Sequence, residues 1–195
     1  ACSSGTDAIG IGLSWLQADL CDLVIVGGAD ELTPIAYNGF ISLMITDSER
    51  VKPFDKYRAG LNLGEGAAIM ILEPFNGSQN RHGKTRGYVL GYGTANDAYH
   101  YTAPHPDGTG LKKAIYNALC SCDKKADDIA FINAHGTGTQ DNDRVESFVL
   151  RDIFPETPFL STKGYTGHAL GAAGAIEAVL TVACLESGKV PGCAG

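Results

Sequence analysis

IAFINAHGTGT, residues 129–139, is an apolar run that ends abruptly in histidine, glycine and threonine. Ile129–Ile132 reads as a short buried strand, and the glycines after it let a backbone approach closely. In α/β folds the C-terminal ends of strands are where ligands bind, so His135 stands at such an end. A core histidine satisfied by backbone is the plain alternative. Outward from this stretch the pattern repeats. Helices are expected over 3–19, 108–121, 141–154 and 171–186. Strands are expected at Leu23–Val26, Ala67–Leu72, Tyr88–Tyr92 and Phe159–Leu160. Residues 30–63 read as irregular, with Pro34 and Pro53 as breakers. Strands alternating with helices predict an α/β chain with a mainly parallel sheet.

The polar stretch 76–84, NGSQNRHGK, is the expected boundary, giving halves 1–82 and 83–195. ACSSGTDAIGIG and GHALGAAGAIEA both place small residues at a helix start, which suits helices packed closely across a shared centre. The 195 residues carry a formal net charge of −7, which argues against nucleic acid as the main partner. Arg50, Lys52, Lys56 and Arg58 form either a solvated face or a basic patch for an acidic partner. No run of about 18 apolar residues is evident, so no membrane span is expected. The N-terminus lacks the form of a signal peptide. Six scattered cysteines read as reduced thiols in a cytoplasmic protein. Cys120 and Cys122 have no second ligand pair, so zinc is not expected there. Residues 10–12, GIG, lack the third glycine of a dinucleotide fingerprint.

Cys2 sits where a helix begins, a place that favours an anion and so a lowered thiol pKa. Burial as a structural cysteine is the competing reading. Lys163 and His168 lie in a glycine-rich junction before the small-residue helix 171–186. One cysteine, two histidines and a lysine thus occupy glycine-rich junctions.

ACSSG (1–5), PFDKYRAGLNLGEGAA (53–68), GTANDAYHYTAPHPDG (93–108), AHGTGTQDND (134–143) and STKGYTGHALGAAGAIE (161–177) resemble, in order and spacing, the motif set of β-ketoacyl-acyl-carrier-protein synthases. These are condensing enzymes of the thiolase-like superfamily, and the resemblance is closest to the elongating Cys–His–His type. It implies a thiolase-like α/β fold, mainly parallel sheets layered with helices, incomplete relative to the family. It implies an acyltransferase that condenses a Cys-bound acyl chain with malonyl-acyl-carrier protein, losing carbon dioxide, in fatty-acid or polyketide elongation. Cys2 would be the nucleophile, with His135 and His168 facing the malonyl thioester. Lys163 would support the site by charge, with Glu146 as its acidic partner. Thr137 and Thr139 would bind the phosphopantetheine arm. Asn133 and Glu177 match positions lining a monovalent-cation site in some members. No cofactor of the enzyme's own is implied, since phosphopantetheine arrives on the acyl carrier protein. A homodimer is the implied assembly.

The family also has strands before the cysteine and a glycine–phenylalanine-rich loop beyond GKVPGCAG (188–195), so this stretch by itself is expected to be inactive. A thiolase is one alternative, but the second catalytic cysteine that family uses is not visible. A non-catalytic carrier-protein-binding or heterodimer subunit is another, but such partners typically lack the nucleophile.

Overall fold

The computed structural model describes residues 2–75 and 84–194. Helix α1 spans Ser4–Gln17, followed by strand β1, Val24–Asp30, helix α2, Pro34–Ser42, and strand β2, Gly66–Leu72. The second half carries α3, Thr109–Ser121, β3, Ile132–Asn133, α4, Gln140–Ile153, β4, Phe159–Leu160, the short α5, Lys163–Thr166, and α6, Ala173–Ser187. β3 and β4 pair in parallel, as the alternation predicts. β1 and β2 do not: they run antiparallel in full register, Val24 opposite Leu72 through Asp30 opposite Gly66. Residues 31–65 turn the chain round between them, so the mainly parallel expectation fails for the longest ladder. Residues 84–95, where Tyr88–Tyr92 were expected as a strand, join no ladder among the described residues. The expected boundary at 82/83 lies outside the described residues.

α2 is the other departure. Thr33 caps it by accepting from Ala36 N–H at 3.1 Å, and Pro34 follows in the first turn. Proline there lacks only an N–H that would be orphaned anyway, so it starts this helix rather than breaking it. Its apolar residues face outward, with Ile35 87% and Met44 just beyond it 88% exposed.

Two cores form. Ile9 and Leu16 of α1 pack on Val24 and Val26, and Ala134 packs with Leu150 and Phe154. α1 and α6 meet through their small residues. A Cβ at Gly5 would lie 2.7 Å from Ala175 N, and one at Gly174 2.8 Å from Thr6 N. Tyr92 reaches back from the second half: its ring covers Gly10 and its hydroxyl donates to Asp7. By length and mean hydropathy the helical stretch Leu170–Ser187 could cross a membrane, contrary to the sequence count. Only 22% of that stretch is buried, around Ala173, Gly174 and Ala175, where α6 packs on α1, β1 and β2.

Candidate active site

Three loops and one helix start converge between the two halves. β3 delivers the chain through buried Ala134 into His135. The turn that follows has Gly136 at φ +42° and Gly138 at φ +78°, conformations that disfavour any residue with a Cβ. Two buried carboxylates on α4 hold this turn. Glu146 accepts from His135 N–H (2.7 Å), Gly136 N–H (2.8 Å) and the Asn142 side-chain amide (3.1 Å). Asp143, 1% exposed, accepts from Gly138 N–H at 3.2 Å and from Phe54 N–H at 2.7 Å. Arg58 lies 3.8 Å from Asp143 and donates to the Thr139 and Gln140 carbonyls. Arg50 donates to Gly164 O. The basic run is therefore half consumed in tying residues 50–62 to the site loops. Burial raises the Glu146 pKa, while its N–H donors and Lys163 oppose the shift.

His168, 2% exposed, is laced into the 62–64 segment, its N–H donating to Asn62 O and its carbonyl accepting from Gly64 N–H. Asn62 itself accepts from Val51 N–H and donates to the carbonyls of Asp47 and Glu49. The glycine-rich stretch 60–66 is thus the cradle of the second histidine.

Cys2 lies just before α1, half-buried. Its Sγ and one nitrogen from each of His135 and His168 all lie within 4.8 Å of one another, and the two rings stand edge to face at 5.1 Å. Leu170 N–H donates to His168 Nδ1 at 3.1 Å, and Lys163 Nζ stands 3.2 Å from His135 Nδ1. An amide and an ammonium can only donate, so both Nδ1 atoms accept and both neutral rings carry their proton on Nε2. Burial and the Lys163 charge push His168 down to about 3, and burial, Lys163 and His168 hold His135 well below its ordinary value. Both rings are therefore neutral N–H donors at pH 7. No metal motif is visible in linear spacing, yet these three groups have ligand proximity. With Nδ1 engaged on each ring, Nε2 is the nitrogen left to donate.

Two expectations change. The Cys2 thiol is raised, not lowered, because desolvation outweighs the Lys163 charge. The Lys163 ammonium, 1% exposed, forms its ion pair with Glu177, not Glu146, and also donates to His135 O at 2.7 Å. Glu146 is instead the acceptor for the His135 turn. Burial raises the Glu177 pKa against the pull of Lys163. Asn133 Nδ2 donates to Glu177 O (3.2 Å) and Thr181 Oγ1 (3.3 Å), while its buried Oδ1 has no hydrogen-bond partner among the described residues. An orphaned amide oxygen fits a cation ligand. Thr137, buried, and Thr139 share a hydroxyl hydrogen bond of 2.8 Å. Asp143, Asn62 and Arg58 were not expected as part of the site. The i, i+3 spacing of Asp143 and Glu146, which puts two carboxylates on one face of α4, was the available signal.

The model of the Beta-ketoacyl synthase C-terminal domain matches residues 86–195, and that of the N-terminal domain matches 1–76. The chain belongs to the β-ketoacyl synthase family. It is 39% identical to 3-oxoacyl-[acyl-carrier-protein] synthase 2 of Synechocystis over 98% of this chain and 49% of that relative. It is similar to the ketosynthase ApeO, solved in complex with its chain length factor ApeC from Xenorhabdus doucetiae. There the TM-score is 0.87 and the identity 41%, over 95% of this chain and 45% of that one. It is also similar to the AntDE:AntF structure, a type II PKS acyl-carrier protein in complex with its ketosynthase bound to the hexaketide. That match has a TM-score of 0.90 and 31% identity, over 95% of this chain and 48% of that one. The chain spans about half the length of the relatives it matches.

Proposed function

We propose that this protein is a 3-oxoacyl-[acyl-carrier-protein] synthase performing decarboxylative condensation in fatty-acid or polyketide elongation. The observation that carries this reading is the meeting of one thiol with two neutral imidazoles whose Nδ1 atoms are both engaged. Cys2 Sγ attacks an acyl thioester on the carrier protein. The carbon–sulfur bond to pantetheine breaks, and the Cys2 proton ends on the released thiol. Malonyl-carrier protein then loses carbon dioxide, and the electron pair left behind forms an enolate. Its oxygen receives the two Nε2–H donors of His135 and His168, a preorganised pair that suits developing negative charge. The enolate carbon attacks the Cys2 thioester, the Cys2 thiolate leaves, and the β-ketoacyl product stays on the carrier protein. Thr137 and Thr139 hydroxyls hold the pantetheine arm in this scheme. Lys163 and Glu177 fix the His135 ring, and Asn133 Oδ1 would hold a monovalent cation behind them.

Acyl carrier protein is the proposed partner, supported by the carrier-protein complex among the similar structures. Assembly as a dimer and a cytoplasmic site of action belong to the same proposal. The test is mass spectrometry of the intact protein after incubation with acyl-carrier protein. The acyl mass is expected on the Cys2 peptide and absent in Cys2→Ala, with β-ketoacyl product on adding malonyl-carrier protein. Carrier-protein binding without acylation would support the non-catalytic subunit instead.

A further inference from the structure

His168 owes its tautomer to one amide, and that amide sits in a strained turn. Leu170 has φ +45°, the left-handed region that a branched residue seldom adopts. The turn is anchored before it by the His168 backbone on Asn62 and Gly64. After it, Ala172 lies flat on Gly28, where an added Cβ would come within 2.9 Å of Ala172 Cα. Between these anchors Asp30, the last residue of β1, reaches across from the first half. Its Oδ2 accepts from Gly171 N–H at 2.9 Å, one residue beyond the amide that meets His168 Nδ1. Asp30 lies in no recognisable motif, and the proposed condensation makes no use of it.

We propose that Asp30 is a positioning residue for His168, holding the Leu170–Gly171 turn so that the Leu170 amide keeps the His168 proton on Nε2. Without the carboxylate, Leu170 relaxes to an ordinary φ and its N–H swings off Nδ1. The ring then populates the Nδ1–H tautomer, which offers no donor toward the point shared with Cys2. The carboxylate also stands near enough to Cys2 to oppose its ionisation, so one group from β1 acts on two of the three reacting side chains. The consequence for activity rests on the proposed role of His168, whereas the tautomer itself does not.

The experiment is nitrogen-15 NMR of histidine-labelled intact protein, with His168→Asn assigning the signal, alongside carbon dioxide release from malonyl-carrier protein. The wild type should show the Nε2–H tautomer alone. Asp30→Ala should show a mixture with Nδ1–H and release carbon dioxide at least tenfold more slowly, with KM little changed. Asp30→Asn keeps an acceptor oxygen and should restore both. Should Asp30→Ala fail to fold, Asp30→Ser, too short to reach Gly171, replaces it with the same expectation. An unaltered Nε2–H tautomer in the alanine or serine variant would overturn the proposal. A changed tautomer in a protein whose wild type releases no carbon dioxide would uphold Asp30 and sink the condensing-enzyme reading instead.

Discussion

Acidification should destabilise this protein through His168. An unfolded histidine titrates near 6.5, whereas folded His168 titrates at about 3. Between those values the unfolded chain binds one more proton than the folded one, so stability rises with pH and falls as pH drops. The slope is about 1.4 kcal/mol per pH unit at most, and integration from pH 7.5 to 5 gives a loss of about 2 kcal/mol. His135 is displaced the same way and adds to the loss. Glu146 and Glu177 are displaced upward by burial and oppose it. A difference measurement isolates the one group. His168→Asn keeps an oxygen where Nδ1 stands, so the Leu170 N–H retains its acceptor while titration is abolished. Urea denaturation of the intact wild type and variant at pH 5–7.5 should give curves that converge on acidification by about 2 kcal/mol. Parallel curves would refute the reasoning, because they require His168 to protonate as readily in the folded site as in water.

Three other outcomes follow from packing and charge. Gly5→Ala should cost about 1–3 kcal/mol, since its Cβ meets backbone at 2.7 Å, whereas Gly39→Ala in α2, with nothing within 4 Å, should gain about 0.4–1 kcal/mol; thermal melts of the two variants should move in opposite directions. Lys163→Met should destabilise by about 3–5 kcal/mol by stranding the Glu177 carboxylate, and adding Glu177→Gln should recover most of it while adding Glu146→Gln should not, as read by denaturant midpoints. Iodoacetamide should alkylate Cys2 in the ligand-free protein more slowly at pH 7 than a free cysteine, with the rate still climbing above pH 9; a plateau below pH 8 would mean that burial does not control the thiol.

What the sequence made legible was local. Small-residue helix starts, the glycine turn after His135 and the helical stretches of α1, α3, α4 and α6 are encoded within a few residues, and each stands near its expected place. The misses are tertiary. The antiparallel return of β2 onto β1 depends on how residues 31–65 fold back, which no strand pattern reports. Pro34 has the same ring whether it ends an irregular stretch or opens α2; the Thr33 cap decides. The partner of Lys163 is Glu177 because α6 docks its first turns beside β3, and Glu146 was equally available by type and charge. Asp30 carries no local mark at all, since its role exists only once β1 lies against the Leu170 turn.

The glycines connect these two kinds of information. Cys2 precedes α1 and His168 precedes α6, so the separation of the proposed nucleophile from the proposed donor follows the separation of the two helix starts. That separation is fixed by backbone touching backbone, Gly5 on Ala175 and Gly171, Gly174 on Thr6. A methyl group at either glycine would push the helices apart by a large fraction of an ångström. Displacements of about 1 Å between reacting groups can cost about a hundredfold in rate. The small residues are therefore as much a part of the site's geometry as the side chains they bring together. Condensation should accordingly fall further in Gly5→Ala than its loss of stability alone would dictate. Equal condensation rates for fully folded Gly5→Ala and wild type would show that the helix contact does not set the distance between Cys2 and His168.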